Sequence, residues 1–385
     1  MGHSSKSLVC WISFLLFTSP AHAFQMQPVG TEYDRKLAQL DESKAEGLLT
    51  KLVDKGVEKF LEPVHEEITQ RIYGCNDSWG DKTRCARKQF APKAVIDGVR
   101  WNDNPPFMVK EKFLLPNGKE IKATCVNETI KLPRKSECWV DVFRASNETV
   151  SKKYFTSRNG VMLNRSHFGD LQFLHSMASR VGDRAQDTKL TIMMWAEFAY
   201  KVAIGEIQGS TRLKDVPISG FNRFFPGHEA TVENLLLMGD TTYRGSSLKN
   251  FAFGTLLHMV QDSFSESHVS RDLSTQGTLS NCKYANGCPA KIDKFLVYSA
   301  QDSKKHKTED VYDALKNDAV KYSPNVIDVG IVLSKLYNED NSDWEVVKSY
   351  LDECVYALKD PDAEADGRLH RQEPGHRARV GHDGG

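Results

Sequence analysis

Two histidine–aspartate pairs have the residue types and the spacing that chemistry requires. His258 and Asp262 lie four positions apart within an apolar, periodic segment, and His306 and Asp310 repeat this spacing further along the chain. Positions i and i+4 share one face of a helix, so each pair could bind a single cation. His268 follows six residues after Asp262. An isolated pair of this kind is more often a surface hydrogen bond, so the interpretation depends on the whole set.

The set supplies three imidazoles and two carboxylates, which are the ligands that zinc and other divalent transition metal ions prefer. Its division into two groups predicts more than one metal ion. Glu309 is a less well spaced substitute for Asp310.

The spacing HxxxDxxxxxH, followed downstream by HxxxD, resembles the zinc-dependent phospholipase C and P1/S1-type nuclease superfamily. The resemblance implies an all-helical fold that holds three zinc ions in a cleft. It extends to three further positions in the expected order, which are His65 on a helical segment, Asp103 in the short loop after Gly98, and His167 at the start of an HFxD stretch.

Alternatives exist for two of these positions. Asp97 is a weaker alternative to Asp103, and His175 is a serious alternative to His167. His228 has no counterpart in the pattern, and we expect it to be structural.

The resemblance also implies which residues share a metal ion. One zinc would be bound by Asp103, His167, His258 and Asp262, a second by His268, His306 and Asp310, and a third by His65 with a bridging Asp262. Asp103 is the expected catalytic residue, since the equivalent carboxylate in the family orients or deprotonates the attacking water.

The third zinc departs from the family pattern. Family members complete that site with an N-terminal Trp, whereas the expected first residue of this mature chain is Phe24, 41 positions before His65. The sequence therefore predicts two to three zinc ions.

Helices must position these residues, because apolar residues recur at helical spacing in residues 33–72, 168–207, 231–265 and 310–358. Residues 107–157 instead alternate apolar and charged positions around a turn at Asn117-Gly118, which favours strands. We expect one mainly α domain over residues 24–360 with a small β-rich insertion at about residues 104–160. Residues 361–385 are polar and are expected to be disordered.

The first 23 residues have the form of a cleaved signal peptide. Lys6 precedes an apolar run over residues 8–17, and Ala21-His22-Ala23 matches a cleavage site. The run is shorter than the ~20 residues that a membrane span needs, and no other segment is long enough. We expect a secreted or periplasmic, soluble monomer.

Cysteine spacing agrees with an oxidising compartment. The close pairs are Cys75 with Cys85, Cys125 with Cys138, and Cys282 with Cys288. These predict three short-loop disulfides, although spacing alone does not determine the connectivity. Cys354 remains as a predicted buried free thiol.

Charge bears on the choice of substrate. The chain carries 51 Lys and Arg against 51 Asp and Glu, so a strongly basic nucleic-acid-binding protein is not indicated. The resemblance then favours a phospholipase C that cleaves phosphatidylcholine-like lipids at a membrane or micelle surface to diacylglycerol and phosphocholine. Exposed aromatic residues of the insertion and the segment with Phe221, Phe224 and Phe225 are candidates for lipid contact, although a hydrophobic patch of this kind is more often part of the core.

Two alternatives stay open. A P1/S1-type single-strand nuclease or nucleotidase would act on nucleic acid with the same metal centre. A zinc-stabilised secreted binding protein would bind the metal without catalysis, and its metal would have no open coordination position.

Overall fold

The computed structural model of the protein describes residues 62–74, 90–112, 114–115, 117–132, 134–149, 153–227, 229–277, 287–301, 311–338 and 343–367. Several predictions lie outside these residues. They concern the signal peptide, Phe24, the polar tail beyond residue 367, and the residues Cys75, Cys85, His228, Cys282, His306, Glu309 and Asp310.

The described residues are mainly helical, as the sequence predicts. The helices are α1 Val64–Ile72, α2 Lys93–Val99, α3 Ser136–Asn147, α4 Met162–Phe168, α5 Ala185–Ile204, α6 Phe221–Phe224, α7 Val232–Leu237, α8 Ser246–Asp262, α9 Tyr312–Lys321, α10 Val326–Asn338 and α11 Trp344–Tyr350. A single π-helical turn, Leu351–Val355, follows α11.

Strands are few and short in these residues. β1 (Phe107–Met108) pairs antiparallel with β2 (Thr129–Ile130), and β3 (Val269–Asp272) pairs antiparallel with β4 (Lys291–Phe295). The second pair, which the periodicity did not predict, begins directly after His268.

Helix α5 lies at the centre of the main hydrophobic core. Most of its side chains are buried, which explains why its apolar residues surround the helix instead of forming one stripe. Trp195 of α5 stacks on Trp101 at a ring separation of 5.3 Å. Trp101 follows Arg100, the residue that caps the end of α2.

The insertion at residues 104–160 differs from the prediction. Strands β1 and β2 occupy its first part, but its longest regular element is helix α3, so "β-rich" describes only the residues before Ser136. Trp139 and Phe143, one turn apart on α3, stack with a ring separation of 5.0 Å and are fully buried. They belong to a second, smaller hydrophobic cluster that also includes residues of β1, β2 and α4.

Helices α2 and α8 cross in backbone contact at two glycines. A Cβ atom on Gly98 would lie 2.0 Å from the carbonyl oxygen of Phe251, and one on Gly254 would lie 2.2 Å from that of Val95. Any side chain at either position would therefore force the helices apart.

This crossing determines which side chains lie together at the ends of the two helices. His258 and Asp262 lie about one and two turns beyond Gly254 on α8, and Asp103 lies in the turn that follows α2. The close approach of the helices thus brings residues from distant parts of the sequence to one location.

The disulfides confirm one predicted pair and correct another. Cys125 is bonded to Cys138, as predicted, but Cys288 is bonded to Cys354. The predicted pairing of Cys288 with Cys282 and the predicted free thiol at Cys354 were therefore wrong. Backbone hydrogen bonds of Ile292 with Ala357 and Lys359 place the two distant segments side by side, a return of the chain that spacing does not reveal.

Two further expectations concern membranes. Phe221, Phe224 and Phe225 are buried, so they belong to the core, which was the favoured alternative to lipid contact. No helix in the described part of the chain combines the length and hydrophobicity required to cross a bilayer.

Candidate metal centre

Asp262 is the centre of a buried cluster of histidines. It lies at the end of α8, one turn after His258, and both side chains are fully buried. Its Oδ2 is 2.9 Å from Nε2 of His258 and 2.8 Å from Nδ1 of His175, while its Oδ1 is 3.3 Å from Nε2 of His65. Imidazoles from three separate elements therefore surround one carboxylate.

Asp103 supplies a second carboxylate to the same cluster. Its Oδ2 lies 4.0 Å from Nε2 of His65, and its Oδ1 lies 3.8 Å from Nε2 of His167 and 3.9 Å from Nδ1 of His175. The preceding residue holds this loop in place, since Nδ2 of Asn102 donates to the carbonyl oxygen of Leu174 at 2.7 Å.

The separations between these atoms fit a metal ion. Two buried groups of three residues each supply ligand atoms that all lie within 4.8 Å of one another. One group is His65, His258 and Asp262, and the other is Asp103, His175 and His258. Zinc lies about 2.0–2.2 Å from nitrogen and oxygen ligands, so two ligand atoms of one ion lie a few ångströms apart, as the atoms within each group do. Each group could therefore hold a metal ion, and both use His258.

Three histidines of the cluster share one pattern of hydrogen bonding through Nδ1. The Nδ1 of His65 lies 2.7 Å from Oε1 of Gln261, that of His167 lies 2.9 Å from the carbonyl oxygen of Leu163, and that of His268 lies 2.7 Å from the carbonyl oxygen of His175. A carbonyl oxygen only accepts hydrogen bonds, so Nδ1 carries the proton in each ring. In the neutral imidazole the lone pair is then on Nε2, the arrangement that metal-binding histidines require.

His175 and Asp262 each have a buried polar atom that lacks a hydrogen bond to any described residue. The two atoms are Nε2 of His175 and Oδ1 of Asp262. Leaving a buried polar atom unsatisfied costs roughly 1–3 kcal/mol. A bound cation would satisfy both atoms, which accords with the ligand types present.

The charge state of the cluster is suited to metal binding. Burial raises the pKa of Asp262, but the attraction of nearby His258 and other imidazoles outweighs burial and holds it well below its usual range. Burial lowers the pKa of His258, and it lowers that of His268 to about 4. An ionised carboxylate beside neutral imidazoles is the protonation state in which these groups bind metals.

His65 differs from its neighbours. Burial alone would lower its pKa, but attraction to Asp262 and Asp103 raises it to about 9. In the metal-free protein His65 therefore carries the proton that balances part of the negative charge of the two carboxylates.

The predicted ligands mostly come together. His65, Asp103, His258, Asp262 and His268 belong to the cluster. The predicted partners of His268 on the second zinc, His306 and Asp310, lie outside the described residues.

His175, the alternative to His167, occupies the central position. Its Nδ1 is 2.8 Å from Asp262 and 3.2 Å from Nε2 of His258, whereas the described contacts of His167 with the carboxylates reach only Asp103. Of the two histidines, His175 is the one whose ligand atom lies within 4.8 Å of those of Asp103 and His258. His167 lines, together with His175 and His268, a cavity of about 10 Å³. A cavity of that size is near the minimum that a water molecule needs.

Asp97, the alternative to Asp103, is not in the cluster. It pairs with Arg100 at 2.8 Å and also contacts Lys93 and Tyr243. Arg100 in turn donates from Nε to Glu66 at 2.8 Å, which links α2 to the residue after His65.

Sequence reasoning missed Gln261 as a partner of His65. Its position between His258 and Asp262 was the available signal, because residues three positions apart on a helix are neighbours. The side chain also donates from Nε2 to Thr69 Oγ1 at 2.8 Å, and Thr69 donates to the carbonyl oxygen of His65. Gln261 therefore joins α8 to α1 directly at the cluster.

Comparison with protein-family models, with curated proteins and with solved structures finds no match to this chain.

Proposed function

We propose that the protein is a metal-dependent hydrolase of phosphodiesters, with two or three zinc ions bound by the buried histidine–aspartate cluster. The observation that carries this proposal is the placement of two carboxylates, Asp103 and Asp262, among converging imidazoles. Clustered divalent ions suit an anionic ester, because they neutralise its oxygens, lower the pKa of a bound water and stabilise the leaving oxygen.

The two carboxylates have different surroundings, which supports different roles. Asp262 is fully buried and within 2.8–3.3 Å of three imidazoles, so it is the better metal bridge. Asp103 is also buried, at 3% exposed, but its nearest imidazole nitrogens are 3.8–4.0 Å away. A carboxylate with fewer close contacts retains an oxygen that can orient a water molecule and accept its proton.

The hydrogen bonds around the cluster would hold the ligands in place during the reaction. The bond from His65 to Gln261 and the bond from His268 to the His175 carbonyl determine which ring nitrogen faces the metal. The anchored loop at Asn102 would hold Asp103 in the position for proton transfer.

The favoured substrate is a phosphatidylcholine-like lipid, cleaved to diacylglycerol and phosphocholine. The resemblance of the ligand spacing to the zinc phospholipase C and P1/S1-type nuclease superfamily supports this choice. The zero net charge also supports it, since the chain as a whole has no excess positive charge to attract a polynucleotide.

The first test measures zinc content and phosphocholine release from phosphatidylcholine micelles on one sample, with a chelator-treated control. We expect two or three zinc ions per chain and release that the chelator abolishes. Zinc binding with cleavage of single-stranded DNA but no lipid turnover would replace the lipid by a nucleic-acid substrate. Zinc binding with neither activity would favour the non-catalytic protein, and absence of zinc would overturn the proposal.

The test of roles uses Asp103→Asn and His258→Ala. Asp103→Asn should retain most of the zinc and lose most of the turnover, because an amide cannot accept the proton. His258→Ala should lose zinc as well. Asp187→Asn is the matched control, since it removes an exposed carboxylate that does not contact the cluster.

A further inference from the structure

A pocket of about 720 Å³ lies between the segment after β1 and the start of α4. Residues 108–111, 114, 153–155, 157–161 and 164 line it, and none of the residues of the metal cluster is among them. Its volume falls within the roughly 300–1,000 Å³ range of small-molecule sites. The pocket is therefore a second candidate site, separate from the metal centre.

The charges around the pocket favour an anion. Lys110, Lys153 and Arg158 line it, and all three are exposed. Glu111 is the single acidic residue among the described lining residues. The pocket therefore has an excess of two positive charges.

The pocket also presents apolar surface to solvent. Six large hydrophobic residues are exposed in the described parts of the chain, and two of them, Met108 and Leu114, line this pocket. Leu114 is 68% exposed. The apolar wall continues inward to Phe155, which is buried. Exposed apolar surface beside positive charge fits a ligand that has both an alkyl chain and an anionic group.

Asn164 adds a buried polar group to the pocket wall. Its side chain is 4% exposed, and its Oδ1 has no hydrogen bond to a described residue. Gly160 lies against this atom, since a Cβ there would be 2.6 Å from Oδ1. Asn164 therefore contributes a buried polar side chain to the inner wall of the pocket.

We propose that this pocket binds an anionic amphiphile, such as a single-chain lipid with a phosphate head group. The alkyl chain packs on Met108 and Leu114, and the anionic group pairs with Lys110 and Arg158. Asn164 precedes His167 by three residues on α4, or about 4.5 Å along the helix axis. The pocket and His167 thus share helix α4, but the pocket's residues bind without the metal and without catalysis.

The first experiment titrates the purified protein by calorimetry with dodecyl phosphate, kept below its micelle-forming concentration. Dodecyl maltoside tests whether the alkyl chain alone suffices, and inorganic phosphate tests whether the anion alone suffices. We expect binding of dodecyl phosphate only, with an affinity that a chelator leaves unchanged. Equal binding of dodecyl maltoside, or no binding of dodecyl phosphate, would overturn the proposal.

Variants then locate the site. Arg158→Gln and Lys110→Gln should each weaken binding by about five-fold, the effect of losing one exposed ion pair. Leu114→Asp should weaken it more strongly, because it places a negative charge on the apolar wall. All three residues are exposed, so the variants are expected to fold, and melting temperatures will check this.

Two further variants complete the design. Lys214→Gln removes an exposed charge outside the pocket and should leave the affinity unchanged. Asn164→Asp should weaken binding by repelling the anionic group. If Lys214→Gln weakens binding as much as Arg158→Gln does, the amphiphile binds through general charge attraction and the pocket is not its site. If the parent protein binds dodecyl phosphate but releases no phosphocholine, the proposed function is contradicted and the pocket proposal is not.

Discussion

Oδ2 of Asp262 lies 2.8 Å from Nδ1 of His175, a residue 87 positions earlier in the chain. The contact joins the end of α8 to the 3₁₀ turn Gln172–His175. Ser176, the next residue, has a left-handed backbone (φ 53°) and donates from its hydroxyl to the carbonyl oxygen of Met259 at 2.6 Å. Two hydrogen bonds to α8, from adjacent residues, thus place the His175 ring in the cluster.

His175→Ala and His167→Ala should differ in their effect on metal binding. His175→Ala removes a ligand atom from the group with Asp103 and His258 and should lower zinc affinity by more than the 10–100-fold typical of a partner outside the metal shell. His167→Ala should retain most of the zinc. Zinc content after dialysis, with circular dichroism to check folding, measures both. The reverse order of effects would restore His167 as the ligand.

Gln261→Leu should weaken zinc binding without removing a ligand. The change deletes the acceptor of the His65 Nδ1 proton, so the ring loses the bond that sets its orientation, and the expected loss of affinity is about 10–100-fold. Competition with a chromogenic chelator measures this affinity. Thr69→Val, which removes only a partner of Gln261, should have a smaller effect. Unchanged affinity in Gln261→Leu would mean that His65 does not bind zinc.

Gly254→Ala should lower the free energy of unfolding. The added methyl group would lie 2.2 Å from the carbonyl oxygen of Val95, and forcing extra volume into a packed contact costs about 1–3 kcal/mol. Urea denaturation measures the change. Lys249→Ala, at an exposed position of the same helix, is the control and should change stability by less than about 0.5 kcal/mol. A stable Gly254→Ala protein would mean that the helices do not cross this closely.

Asp97 should make stability depend on pH. Burial raises the pKa of its carboxyl group, but attraction to Arg100 and Lys93 outweighs burial and lowers it below 3.8. A lowered folded-state pKa means that the stabilisation is complete above the unfolded-state value and disappears as pH falls through the folded-state value. Asp97→Asn should therefore destabilise the protein by about 1–3 kcal/mol at pH 7, and progressively less below pH 4.

Unfolding free energies of both proteins across this pH range test that prediction. Asp187→Asn is the control, because its partner Arg184 is more than half exposed and the pair should contribute far less. A difference between Asp97→Asn and the parent protein that stayed constant down to pH 2 would show that the carboxylate charge is not the cause.

Local spacing was sufficient to predict part of the site. The geometry of His258 and Asp262 is that of one helix, so four residues of separation determine it. His65 and Asp103 could be selected only through the resemblance, because the crossing of α2 and α8 that brings Asp103 to the cluster depends on a contact between Gly98 and Gly254.

Other features depend on how the chain returns to itself. The choice between His167 and His175 depends on a left-handed turn at Ser176, for which a serine has no special preference. The second strand pair was not predicted because its strands, residues 269–272 and 291–295, are separated in the sequence. Helix α3 was not predicted because its sequence has little helical signal beyond the spacing of Trp139 and Phe143. Periodicity within one segment reports burial, and it does not report which distant segment provides it.

The bond between Cys288 and Cys354 spans 66 positions, and His306 and Asp310, the two predicted ligands outside the described residues, lie within that span. A protease that cut the chain once between these cysteines would produce two pieces that stay covalently linked. The cut protein would keep its full mass on a non-reducing gel and separate into fragments only after reduction. Any single cleavage of this segment would therefore leave α9, α10 and α11 covalently linked to the rest of the chain.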